Sequence, residues 1–230
     1  MLSNFDFSVI LISLPYLFAQ GMVFTVSLTA MAAVGGIAIG TLVAMARLSG
    51  VPGLWHVAKA YVELCRSLPL VLVIFWFYFL VPYIGAYVIG SSTPVQVGAF
   101  PSALITFMAF EAAYFAEIMR AGIQSIPKGQ SGAAYALGMN YWQAMGNVIL
   151  PQAFRNMLPL LLTQTIVLFQ DTSLVYVLSL TDFMGAASKV AQRDGRLVEM
   201  YIFAALVYFA VCFTASFLVR RLQRRVAIIR

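Results

Sequence analysis

The sequence predicts an all-α integral membrane protein with five transmembrane helices, and three observations predict it. Apolar residues make up 62% of the 230 and charged residues only 10%, against about 25% charged in a soluble domain. Uncharged runs extend from Phe7 to Ala46, from Ser67 to Phe110 and from Met200 to Val219. Each can supply the roughly 20 apolar residues that cross the hydrocarbon core of a bilayer. The basic residues, finally, sort onto one side of the spans those runs define.

The chain reads as one transmembrane domain over residues 1–230. Its spans fall at about Gly21–Ala46, Pro69–Ile89, Pro101–Met119, Leu158–Leu180 and Met200–Val219. Before the first lies the apolar stretch Ser8–Ala19, which is too short to cross and carries Pro15. It reads as an interfacial helix leading into the first span, with a sixth span as the rival reading. In the first span Ala32, Gly36, Gly40 and Ala44 recur every four residues, a stripe that lets helices approach closely. The second carries Phe75-Trp76-Phe77-Tyr78-Phe79, which points all round its helix toward lipid and neighbours. Gly90–Ala99 separates the second and third spans with turn residues instead of charge. Lys189–Glu199, before the fifth span, reads as a solvated loop of mixed charge.

Arg47, Lys59, Arg66, Arg120, Lys128, Arg155, Arg220, Arg221, Arg224, Arg225 and Arg230 fall on one side of this topology, and only Lys189, Arg193 and Arg196 on the other. The positive-inside rule therefore places the C-terminus in the cytoplasm and the N-terminus outside. The net charge of +6 follows from this asymmetry and calls for no nucleic acid. The C-terminal arginines are placed to hold the last span against anionic headgroups, so membrane lipid is the first expected partner. No Lys or Arg precedes Arg47, so the basic n-region of a cleavable signal is missing.

One His and two separated Cys, His56 with Cys65 and Cys212, give no metal-site spacing. No Ser/His/Asp set and no phosphate-cradling Gly-Lys motif appears, so neither an enzyme nor an ATP-binding chain is predicted.

The polar interruption Pro127–Pro151 (PKGQSGAAYALGMNYWQAMGNVILP) lies on the cytoplasmic side. It reads as two short amphipathic helices joined at Gly138. Ala133, Ala134 and Leu137 form the first apolar stripe, and Trp142, Met145 and Ile149 the second. Asn140 and Gln143 have the spacing of an N-cap and its reciprocal partner. Apolar faces presented on the water side of a membrane predict a protein partner.

The interruption resembles the signature loop of ABC importer permeases, Glu-Ala-Ala, three residues, Gly, nine residues, Ile, one residue, Leu-Pro. Ala133, Ala134, Gly138, Leu150 and Pro151 match, while Gly132 stands where the family has Glu and Val148 where it has Ile. The polar amino-acid branch of that family is resembled more widely. Arg66-Ser67-Leu68-Pro69-Leu70 leads into the second span. Tyr114, Glu117, Arg120 and Gly122 fit the third, and Gly129-Gln130, Pro151-Gln152-Ala153-Phe154-Arg155 and Asp171-Thr172-Ser173-Leu174 continue the pattern. The fourth span, LLTQTIVLFQDTSLVYVLSLTDF, looks most similar to the glutamate/aspartate type, which shares Gln170 where many relatives have Lys.

This resemblance implies the type I permease fold in a bacterial inner membrane. A second permease, homologous or identical, would complete the pore, an ABC ATPase dimer in the cytoplasm would bind the ATP, and a periplasmic amino-acid-binding protein would deliver substrate. Gly132, Ala133, Ala134, Leu137, Gly138 and Pro151 are then the ATPase-coupling residues, with a short helix entering a cleft on the ATPase. The substrate expected is glutamate or aspartate; glutamine, arginine or histidine is the alternative. An ion-coupled secondary transporter is the reading from another class.

Ionisable residues inside a membrane are costly and mark function or pairing. Glu111 sits ten residues into the third span, about 15 Å from its outer end at about 1.5 Å per residue. It either lines the pathway or pairs with a polar group on a neighbouring span. Asp171, on nearly the same helix face as Gln164, is a pathway or gating candidate. Glu117 and Arg120, three apart, are expected to form a structural ion pair. A difficulty follows, because an acidic substrate prefers cations and the buried charges are mainly carboxylates. Either the second permease supplies cations or the substrate is not acidic.

Overall fold

The computed structural model describes residues 5–226, and Arg230 lies outside the described residues. Among the described residues, five helical runs are long and apolar enough to cross a membrane: Phe7–Leu48, Leu70–Ile89, Ala99–Gln124, Tyr141–Leu178 and Leu197–Arg225. The first comprises α1 (Phe7–Tyr16), a π-helical turn (Leu17–Met22) and α2 (Val23–Leu48). Its 42 residues make about 63 Å of helix, roughly twice the hydrocarbon thickness. Nothing in it turns the chain back, so the sixth span has no place. The interfacial helix expected at Ser8–Ala19 is the opening of this same run, capped by Asp6, whose carboxylate accepts the Ser8 N–H at 2.9 Å.

The second run is α4 (Leu70–Phe75), a π turn (Trp76–Leu80) and α5 (Val81–Ile89), which ends at Gly90 in the left-handed conformation. The third is α6 (Ala99–Gln124). The fourth begins inside the polar interruption, as α8 (Tyr141–Ala144), a π turn (Met145–Ile149) and α9 (Leu150–Asp171), and closes in a tight 3-10 stretch (Thr172–Leu178). The fifth is α11 (Leu197–Val226).

Proline explains two of the π turns. Val81 donates to the carbonyl of Trp76, and Leu150 to that of Met145, each five residues back. Each donor immediately precedes a proline, Pro82 or Pro151. A proline ring collides with the carbonyl four residues earlier and has no N–H to give. The widened turn makes the room, and the helix continues. Pro151, where the sequence reading closes the interruption, is thus carried inside the fourth run.

The chain forms two compact units. The first comprises Met1–Val34, Leu68–Met108 and Ile166–Thr214. Its core gathers Leu17, Phe183, Ala186, Ala187, Val190, Ala191, Met200 and Ala204 around α10 (Phe183–Asp194). Asp182 caps α10 by accepting the N–H groups of Met184 and Gly185, both at 2.9 Å. Thr25 accepts the Phe183 N–H at 2.9 Å. At Gly21 a Cβ would lie 2.9 Å from the Ala186 Cβ, so only glycine admits this approach. The solvated loop expected from Lys189 is corrected here. Val190 and Ala191 are core residues, and α10 runs to Asp194 because its apolar face is covered.

The second unit comprises Gly35–Ser67, Ala109–Thr165 and Ala215–Arg230. Its main core is Ala44, Val62, Ala113, Phe115, Ala116, Met119 and Leu161. The small-residue stripe packs as expected, since a Cβ on Gly40 would sit 2.9 Å from the Ala112 carbonyl oxygen. An amphipathic helix α3 (Pro52–Ser67) occupies what the sequence leaves as a loop. It buries Ala58 and Val62, and its Tyr61 hydroxyl donates to the Ala109 carbonyl.

Candidate functional site

Three features of the second unit carry chemistry, and each starts from a helix position. At the C-terminal half of α6, Glu117 and Arg120 lie one turn apart and pair as expected: Arg120 Nη2 meets Glu117 Oε1, and Arg120 Nε donates to Oε2 at 3.2 Å. Arg120 also donates to the Gln124 amide oxygen. Two more arginines converge on the same carboxylate. Arg47, in the last turn of α2, bonds Glu117 Oε2. Arg66, in the last turn of α3, has Nη1 at 4.0 Å from Oε1 and lies over the Tyr114 ring, 5.6 Å from its centroid. Sequence spacing could find only the Arg120 partner, because the others stand 70 and 51 residues away. Their signal was position: each flanks a long uncharged run.

Glu111, two turns earlier on α6, is 0% exposed. Gln164 of α9 donates Nε2–H to its Oε2 at 3.0 Å. Glu111 thus has a polar partner on the fourth run. A buried carboxylate needs such donors, since an unsatisfied one is costly in apolar surroundings.

The polar interruption gives α7 (Lys128–Ala136), a turn at Gly138 and α8. Gly138 has φ of +77°, the left-handed region that glycine enters without steric cost. The Asn140 side chain accepts the Gln143 N–H while Gln143 accepts the Asn140 N–H, both at 3.0 Å, forming the expected capping box. The apolar stripes need correction. Ala134, Ala144 and Ile149 are buried, and Ile149 packs with Ile126 and Ala153. Leu137 and Trp142 are each 79% exposed, with Ala133, Tyr135 and Tyr141 also exposed. Periodicity groups residues on a face but does not say that a helix lying on a surface exposes its largest ones. Gly132 lies mid-helix with open space where a Cβ would be.

In the first unit Asp171 is half-buried where α9 tightens into the 3-10 stretch. Its neighbour Gln170 lines a recess of about 380 Å³ with Ser173, Tyr176, Tyr201 and Tyr208. Gln164 and Asp171 share a helix, but the partner the structure gives Gln164 is Glu111. Nearby, burial pushes the Asp182 carboxyl up to about 6, against the pull of its backbone hydrogen bonds and the Lys189 charge.

Comparison with known proteins adds to this geometry. Residues 36–228 match the family described as binding-protein-dependent transport system inner membrane component. The glutamate/aspartate import permease protein GltK of Escherichia coli is 55% identical over 224 residues, covering 97% of this chain and 99% of that one. The glutamine transport system permease protein GlnP of Escherichia coli is 33% identical, covering 98% and 100%. A crystal structure of an amino acid ABC transporter with histidines superposes with a TM-score of 0.86 at 33% identity, covering 96% of this chain and 98% of that one. An inward-facing MetNI methionine ABC transporter shares the fold, with a TM-score of 0.71 at 19% identity.

Proposed function

The chain belongs to the family of binding-protein-dependent transport system inner membrane components, and from that premise we propose that it is the permease subunit of an ATP-driven importer of glutamate and aspartate. The observation that carries the substrate is the 55% identity to the glutamate/aspartate permease against 33% to the glutamine permease, each over nearly the whole chain. Family membership also sets aside the ion-coupled carrier left open by the carboxylates, because it ties the chain to a binding protein.

In this reading the hairpin of α7 and α8 faces the cytoplasm and seats on one subunit of an ABC ATPase dimer. Leu137, Tyr141 and Trp142 are its contact surface, and Gly132, Ala133 and Ala134 of α7, the Gly138 turn and Pro151 shape it. The N-terminus is periplasmic and the C-terminus cytoplasmic, following the basic residues. A second permease completes the pathway, since five spans give little room for alternating access within one chain. Glu111, with Gln164, and Asp171 are its pathway candidates, and ATP stays with the ATPase. The arginines around Glu117 supply the cations that an acidic cargo asks for.

The test is reconstitution of the chain with its partner permease, ATPase and binding protein in vesicles. Glutamate-loaded binding protein is expected to stimulate ATP hydrolysis and drive uptake. Stimulation by loaded glutamine, arginine or histidine with none by glutamate or aspartate would overturn the substrate.

A further inference from the structure

The cluster at Glu117 holds more positive charge than its carboxylate neutralises. Arg47, Arg66 and Arg120 bring three guanidiniums to one carboxylate, with no second carboxylate within ion-pair distance of them among the described residues; Glu63, one turn before Arg66 on α3, pairs with Lys59 at 3.6 Å. Both Glu117 oxygens are taken by Arg47 and Arg120. Arg47 is nine-tenths buried, its side chain 10% exposed, and its Nε is buried with no hydrogen-bond acceptor among the described residues.

Arg66 differs from the other two. Its side chain is 45% exposed, its only carboxylate contact is the 4.0 Å approach to Glu117, and it makes no hydrogen bond among the described residues. The Tyr114 ring holds it from one side. A guanidinium fixed by stacking, with its donor fork free, matches a planar or tetrahedral oxyanion. Arg47 carries the desolvation cost, buried with an Nε donor that no described acceptor meets, and an anion held beside it at Arg66 offsets that cost.

We infer that Arg66, backed by Arg120 and Arg47, is a binding station for an anionic oxygen group, either the carboxylate of the transported amino acid or a lipid phosphate. Glu117 is its resident anion and keeps Arg47 and Arg120 aimed when the station is empty. The substrate source rests on the glutamate/aspartate reading, whereas the lipid source does not.

The experiment uses the complete reconstituted transporter in vesicles of phosphatidylcholine, with and without phosphatidylglycerol, comparing wild type, Arg66→Gln and Arg66→Lys. If the substrate carboxylate is the visitor, Arg66→Gln raises KM for glutamate about tenfold in both vesicle types, the loss of one charge-assisted hydrogen bond. In that case kcat changes little and Arg66→Lys recovers most of the loss. If lipid phosphate is the visitor, wild-type uptake falls without phosphatidylglycerol and Arg66→Gln gives the same lower rate in both vesicles. Wild-type KM, kcat and lipid response in Arg66→Gln overturn the station. Should that variant fail to assemble, phenylglyoxal labelling of Arg66 in the wild-type transporter decides, read by peptide mass spectrometry. Slower labelling in the presence of glutamate or of phosphatidylglycerol supports the station, and an equal rate in all conditions overturns it. A wild-type transporter that does not import glutamate removes the proposed substrate, and the labelling of Arg66 with and without phosphatidylglycerol still decides the station.

Discussion

Helix α10 and the hairpin of α7 and α8 both flank the spans, and they place their apolar residues in opposite directions. Helix α10 turns Phe183, Ala186, Ala187, Val190 and Ala191 inward, and all five are essentially buried. The hairpin of α7 and α8 buries little more than Ala134 and Ala144 and leaves Leu137, Tyr141 and Trp142 exposed. The same kind of sequence therefore does two jobs. One element completes a core, and the other presents an unpartnered face with its turn fixed by Gly138 and its cap by Asn140 and Gln143. Large exposed apolar side chains rimmed by polar ones mark an interaction surface. The difference gives α10 a structural role and leaves the hairpin the open face on which the proposed coupling rests.

The largest effect is expected where α10 docks. Gly21→Val places side-chain atoms against the Ala186 Cβ and the Phe183 backbone, and overpacking of this kind costs about 3 kcal/mol. Loss of the folded species in detergent, read by thermal unfolding, checks it. An unchanged melting temperature would show that α10 is not structural.

The Asp182 cap gives a pH signature to the same element. Burial raises its folded pKa to about 6, above the ordinary carboxylate value of 3.8, so the folded state holds this proton more tightly than the unfolded one. The associated stability is present below about pH 4 and is lost as pH rises to about 6, on the order of 3 kcal/mol in all. Denaturation across that window should lose this slope in Asp182→Asn, which keeps a capping oxygen without a titration. A slope that survives the substitution would place it elsewhere.

In the hairpin, a Cβ at Gly138 would have no atom within 4 Å, so the penalty of Gly138→Val is set by the left-handed backbone, about 1–2 kcal/mol. Because the turn sets the angle between α7 and α8, uptake is expected to uncouple from ATP hydrolysis while insertion stays normal. Normal uptake would remove the turn from coupling. The smallest effect belongs to Gly132→Glu, which has open space and replaces a mid-helix glycine. It should raise stability by about 0.5–1 kcal/mol, measured as a small rise in melting temperature, and a fall would mean that an unseen contact excludes the side chain.

The spans were legible because an apolar run of sufficient length has few other fates, and the Asn140–Gln143 box because capping is local. Elements whose folding depends on distant cover were not. Helix α3 carries His56, Lys59, Glu63 and Arg66, so it breaks no apolar rule and shows no apolar run. Only burial of Ala58 and Val62 reveals it as structure. Likewise Lys189–Asp194 reads as charged loop until the opposite face, with Val190 and Ala191, is seen to be covered. At the charged site, the Glu117–Arg120 pair was readable from spacing along one helix. Arg47, Arg66 and the Gln164 partner of Glu111 arrive from other helices, which no local pattern encodes.

The claim that the hairpin's exposed face couples ATP hydrolysis to transport is tested most directly by the double variant Leu137→Ala, Trp142→Ala in the reconstituted transporter. Both side chains are largely solvent-exposed in the chain alone, so the melting temperature of the isolated permease should stay at wild type, within about 0.5 kcal/mol in stability. Truncating two interface anchors should lower ATP-driven uptake by about thirtyfold or more. Wild-type uptake in a variant of unchanged stability would contradict the assignment of this face to coupling.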